Sequence, residues 1–141
     1  MKREEVFEEI YGGINTKLSN GTLNPYGATI LSFIPSYEQD EFPLIVLSQV
    51  EYSLNSETLN KSEKKHNLSV EAQIFAKDTA TVNKRIIANS VADLVEVVLQ
   101  DDYGLRLELS NVLPNLDENV YRVLLRFSCI IDDDSKVIYR E

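Results

Sequence analysis

Two hydrophobic periods stand side by side between residues 68 and 100, and they restrict this chain more than any other feature. From Leu68 to Ala76 apolar and polar residues alternate: Leu68, Val70, Ala72, Ile74 and Ala76 share one side, and Ser69, Glu71 and Gln73 the other. A period of two belongs to a strand with one buried face. From Thr79 to Gln100 the spacing changes, and Val82, Ile86, Ile87, Val91, Leu94, Val95, Val98 and Leu99 recur at helical steps. Lys84, Arg85, Asn89, Asp93 and Glu96 fill the opposite side. At about 1.5 Å per residue this helix spans roughly 30 Å, enough to cross a sheet. Asp78 or Thr79 is placed to cap its start, because a short side-chain oxygen accepts from an orphan backbone N–H. Gly104, after Asp101-Asp102-Tyr103, is placed to end it.

The remaining segments supply the sheet. Leu44 to Leu54 reads as a strand, apolar on both faces through Leu44-Ile45-Val46-Leu47 and alternating from Val50 onward. The polar stretch from Asn55 to Asn67 reads as a mobile loop or hairpin arm, which makes the flanking strands an antiparallel pair. Leu105, Leu107 and Leu109 alternate with Arg106 and Glu108 as a further strand. Pro114-Asn115-Leu116-Asp117 reads as a turn. Val120 to Ile131 is the longest strand candidate, with Tyr121, Val123, Leu125, Phe127, Cys129 and Ile131 on one face. Val120, Arg122, Leu124, Arg126, Ser128 and Ile130 lie on the other. Asp132-Asp133-Asp134-Ser135 is a turn, and Lys136 to Arg140 returns as a closing strand.

Ahead of the sheet, Val6, Phe7, Ile10, Tyr11 and Ile14 lie at helical spacing. Gly12-Gly13 weakens that pattern, so the helix is expected to reach about Tyr11 and then loosen. Residues 28–34 read as an edge strand or a loop packed on the core. The expected fold is α+β: a single, mostly antiparallel sheet of about four to five strands packed against one long helix, with an additional N-terminal helix. A length of 141 residues fits one domain, with 1–40 as helix and loop and 42–140 as the sheet–helix core.

The search for chemistry returns little. Cys129 is the single cysteine, in an apolar run without a basic neighbour, and reads as a small buried residue. His66 is the single histidine, in a polar stretch, and reads as a solvated loop residue. Phosphate-binding glycine loops, nucleophile elbows and CxxC pairs are absent from the sequence. No enzyme activity, metal or cofactor is expected. Arg122 and Arg126 share a strand face, where they can neutralise carboxylates such as Glu71 and Glu108 or point across a subunit interface. Lys61, Lys64 and Lys65 form the one basic cluster, read as a solvated loop and a candidate contact. A net charge of −9 repels phosphate backbones, which disfavours a DNA-binding enzyme and allows a protein that tolerates nearby DNA. No apolar run reaches the length of a membrane span, and Met1 to Glu5 does not read as a signal peptide. A soluble protein made in a cytosol is the expectation.

One ordered series of segments carries a resemblance. Phe42-Pro43-Leu44-Ile45-Val46-Leu47 leads through a polar stretch to Ile74-Phe75-Ala76-Lys77-Asp78. A long helix follows, then Pro114-Asn115-Leu116-Asp117, Val120 to Phe127, and Val137-Ile138-Tyr139-Arg140. This order resembles the tail-terminator (tail-completion, head-tail joining) proteins of long-tailed bacteriophages, over roughly residues 42–140. The resemblance implies an α+β virion subunit in a hexameric ring at the tail-neck junction. Such a ring caps the tail tube, stops its elongation and meets the head connector or stopper protein, while DNA passes through without specific binding. On that reading the Asn55–Asn67 arm reaches a neighbour or the tube, and Asp101, Asp102, Asp132, Asp133 and Asp134 are candidates for an acidic lumen. The alternatives are another neck or head-completion subunit, a small-molecule binding module, and an acidic inhibitor that mimics nucleic acid.

Overall fold

The structure, a computed structural model, describes residues 3–20, 24–31, 42–57, 64–113, 120–132 and 138–139. Its elements run in the order α1 (Arg3–Leu18), β1 (Thr29–Leu31), β2 (Leu44–Glu57), β3 (Lys64–Lys77), α2 (Lys84–Val97), a π-helical turn (Val98–Asp102), β4 (Arg106–Leu113), β5 (Val120–Asp132) and β6 (Ile138–Tyr139). Among the described residues the sheet has six strands, in the spatial order β1-β2-β3-β5-β4, with the short β6 pairing β5. Every pairing is antiparallel except β1 with β2, which is parallel. This is the expected α+β fold with a largely antiparallel sheet.

The alternating pattern does what its period requires. Leu68, Val70, Ala72, Ile74 and Ala76 are all fully buried on one face of β3. In register beside them on β5 lie the buried Cys129, Phe127, Leu125 and Val123 and the half-buried Tyr121. Helix α2 covers β3 and β5, and α1 covers β1 and β2, so both helices occupy the same side of the sheet. Each Leu, Ile or Phe sealed there contributes about 1.5–3 kcal/mol, which makes this interface the main source of stability. Leu44 and Val46 are buried too, although they alternate with the core residues Ile45 and Leu47. The double-sided burial predicted for that run is therefore present.

Several expectations need correction. Helix α1 does not stop near Tyr11 but continues through Gly12-Gly13 to Leu18. Tyr103 lies against Gly13, where a Cβ would collide with its ring, so Gly13 makes room for a helix-to-core contact instead of ending the helix. Residues Val6, Ile10, Ile14 and Leu18, one turn apart, form its buried row.

Helix α2 starts later than expected. Asn83 is the N-cap, its side chain accepting from Arg85 N at 2.8 Å. Asp78 still contributes, accepting from Lys84 N at 2.7 Å. Thr79 instead closes a turn onto Val82, whose N–H donates to its Oγ1 at 3.0 Å. The helix interior buries Ala88 and Ala92 along with the predicted Ile87, Val91, Val95, Val98 and Leu99, whereas Ile86 is exposed. Gly104 does end the helical run: it adopts a φ of 74°, and Leu105 N reaches back to Leu99 O at 2.8 Å.

Of the polar stretch after Leu54, residues 55–57 and 64–67 extend the paired strands, which favours the hairpin-arm alternative, and residues 58–63 lie outside the described residues. Strands β2 and β3 stay paired out to Glu57 opposite Lys64. His66 therefore sits half-buried within β3, opposite Ile131, and is not a solvated loop residue. On β4 a bulge between Leu107 and Leu109 shifts Leu109 out of the alternation, so it faces away from the helices beside Arg126. The turn at Pro114–Asp117 lies outside the described residues, as do residues 133–137 between β5 and β6.

Candidate functional site

With both helices on one face, the opposite face of the sheet is where polar side chains gather. Strand alternation sends Glu51 from β2, Ser69, Glu71 and Gln73 from β3, and Arg122, Arg126 and Ser128 from β5 to that side. The bulge on β4 adds Glu108 and Arg106 near Ser128. Hydroxyl groups hold two of the carboxylates. Ser69 and Ser53 donate to the two oxygens of Glu51 at 3.2 and 3.1 Å, and Ser128 donates to Glu108 Oε1 at 2.5 Å. Arg106 Nη2 stands 3.7 Å from the same Glu108 oxygen.

The two predicted arginines do lie together on this face, but they are handled differently. Arg126 Nη2 is 3.9 Å from Glu71 Oε2, as anticipated for one of the candidate carboxylates. That distance is too long for a hydrogen bond, and Arg126 Nε is buried with no hydrogen-bond partner among the described residues. A half-exposed pair of this kind is worth about 0–1 kcal/mol. Arg122 turns to a neutral partner: Nε and Nη2 donate to Gln73 Oε1 at 3.1 and 2.5 Å, and its guanidinium lies 5.4 Å from the Phe75 ring centroid. Stacking and a forked donor pair fix this arginine without cancelling its charge. Glu108, the other candidate carboxylate, is held by Ser128 and Arg106, and the bulge puts Leu109, not Glu108, opposite Arg126.

Between these groups lies a shallow depression of about 380 Å³, lined by Val50, Glu51, Ser69, Glu108 and Arg126. Its chemistry is a mosaic of fixed charges beside the exposed Val50. Among the described residues, no three of His, Cys, Asp and Glu are grouped to hold a metal ion. No protein-family model matches this chain, and no curated protein matches it. The functional reading therefore rests on the geometry and on the resemblance in the sequence.

The acidic candidates occupy other parts of the molecule. Asp101 and Asp102 are exposed on the π-helical turn in the helix layer, with Asp102 Oδ2 3.8 Å from Lys17 Nζ. Asp132 is the last residue of β5, in register with Lys65, while Asp133 and Asp134 lie outside the described residues. Lys64 and Lys65 open β3, and Lys61 lies outside the described residues. The structure thus separates the arginine pair from Asp101 and Asp102 by the thickness of the sheet and its helices. Cys129 is buried in the core as expected, and burial pushes its thiol up to about 12. The hydroxyl-held carboxylate Glu51 was not anticipated. Its strand was legible, but the partners that fix it depend on cross-strand register, which the bulge between Gln49 and Glu51 shifts. No helix among the described residues is long and apolar enough to cross a membrane.

Proposed function

We propose that this chain is a structural virion protein, the tail terminator of a long-tailed bacteriophage. Its copies form a hexameric ring that caps the tail tube, stops its elongation and joins it to the head connector. The observation that supports this reading is the one-sided build of the subunit. Both helices cover one face of the sheet, the other face is a polar mosaic with Arg122 held by Gln73 and Arg126 near Glu71, and the β2–β3 arm stays paired to Glu57 and Lys64. A closed ring needs two different complementary patches on every subunit, and the helix layer and the open sheet face differ in this way.

Mass measurement of the purified protein, alone and mixed with tail-tube protein, tests the proposal. A closed ring that halts tube growth is the expected result, and tubes that keep elongating in excess protein overturn it. The exposed carboxylates Asp101 and Asp102 are assigned to the lumen, where negative charge lets DNA slide without adhering. Reversing both, Asp101→Lys with Asp102→Lys, is expected to slow DNA ejection from assembled particles. Ejection at the unaltered rate would place these residues elsewhere on the ring.

A further inference from the structure

The two outer strands of the main sheet are guarded very differently. β1 is three residues long. The carbonyl of Ile30 accepts from the Tyr11 hydroxyl at 2.9 Å, and Asn24 holds the N–H and carbonyl of Ala28 at 2.9 and 3.0 Å. Strand pairing on that side is blocked by side chains. β4, at the other end, is paired among the described residues along one flank, to β5. Its first part carries the usual protections, a bulge at Glu108 and the charges of Arg106 and Glu108. From Leu109 to Leu113 these stop. This stretch runs in unbroken register against Arg126 to Arg122, contains no charge and no proline, and leaves Val112 58% exposed. Among the described residues nothing pairs with its outer flank.

We propose that Leu109–Leu113 is a docking edge for the same stretch of a second copy of this chain, paired antiparallel about a two-fold axis at Asn111. The occupant follows from charge and face. Most approaches between two molecules of net charge −9 set like charges together, but this stretch is uncharged. Antiparallel pairing centred on Asn111 sets Leu109 against Leu113, Ser110 against Val112 and Asn111 against itself, each pair on one face of the joined sheet. Arg106 and Glu108 of the two copies then fall at opposite ends of the contact. The contact is isologous, whereas a ring is closed by a heterologous one, so the inference stands apart from the proposed function.

Two variants of the full-length protein test it. Val112→Lys places a charge on an exposed edge position, and its native mass is expected to be half that of the unaltered protein, whether the larger assembly is a dimer or paired rings. Asn111→Cys places the only accessible thiol on the two-fold axis, because Cys129 is buried; directly opposed Cα atoms stand within disulfide reach. Oxidation is expected to give a covalent dimer from Asn111→Cys at least tenfold faster than from Asn89→Cys, an exposed control on α2. Equal native masses for Val112→Lys and the unaltered protein, or equal crosslinking of the two cysteine variants, overturns the proposal. If Val112→Lys fails to fold, the crosslinking comparison decides. An edge that instead pairs with a foreign strand gives equal crosslinking and is rejected by the same result.

Discussion

Gly12 and Gly13 are neighbours in α1 with opposite surroundings. Nothing lies within 4 Å of a Cβ built on Gly12, whereas one built on Gly13 runs into the ring and hydroxyl of Tyr103. Gly12→Ala should therefore stabilise the protein by up to about 1 kcal/mol through helix propensity alone. Gly13→Ala should forfeit that gain and cost about 1 kcal/mol instead, because Tyr103 must move and its 3.1 Å bond to Glu9 O is strained or lost. Urea unfolding of both variants, repeated in a Tyr103→Ala background, checks this: removing the tyrosine should turn the Gly13→Ala cost into a gain. Cys129 makes a pH prediction of definite sign. Its thiol is raised from the ordinary 9.0 to about 12 by desolvation. Above pH 9 the unfolded chain loses this proton while the folded chain keeps it, so the unfolded state binds fewer protons. The group's contribution is intact below pH 9 and falls by about 1.4 kcal/mol per pH unit as pH rises from 9 toward 12. Denaturation of the unaltered protein and of Cys129→Ala across that range should show the former losing stability relative to the latter. Alkylation of native Cys129 at pH 8 should be negligible until denaturant is added.

At the scale of elements, the strands were legible because their period is set by the pleat, and the helix ends were not. Leu68 to Ala76 and Tyr121 to Ile131 face the core as their alternation requires. The ends depend on single hydrogen bonds that a pattern does not reveal. Asp78 and Asn83 are both competent caps by residue type, and only the turn at Thr79–Val82 decides that Asn83 sits at the boundary while Asp78 reaches across to Lys84 N. The two side chains thus share the first orphan N–H groups of α2. Asn83→Ala and Asp78→Ala should each cost about 1 kcal/mol, as lost caps do, while Thr81→Ala, on the exposed turn between them, should stay within about 0.5 kcal/mol. Thermal unfolding separates these outcomes. The β4 bulge was equally hidden. Leu105-Arg106-Leu107-Glu108-Leu109 reads as strict alternation, yet one residue slips out of register, and Leu109 ends on a side the pattern did not assign, while Glu108 stays with Arg106 on the polar face. The polar face of the sheet was legible in outline, from Arg122, Arg126, Glu71 and Glu108, and so was the approach of Arg126 to Glu71, but the turn of Arg122 to the neutral Gln73 was not.

Across the whole molecule, β3 is paired along both flanks and covered by α2, while β1 and β4 form the margins. Local opening should follow that arrangement. Amides of Leu68 to Ala76 lie on β3, whose two neighbours, β2 and β5, both run its length. Breaking them exposes the buried row of β3 and its partners together, so they should exchange only through global unfolding. β4 can detach while losing pairing on a single flank and little of the core, since its residues are half-buried or exposed. Its amides should exchange by local opening, several orders of magnitude faster than those of β3 in the dilute protein. Concentration adds a second axis to this experiment. If Leu109–Leu113 pairs with its own copy, outward-pointing amides there gain protection as protein concentration rises, while those of β1 do not, because Tyr11 and Asn24 already occupy that edge. Hydrogen exchange followed by mass spectrometry over a hundredfold range of concentration resolves the two margins. Protection that rises equally at β1 and β4, or at neither, would mean that the uncharged half of β4 is not what brings copies of this chain together.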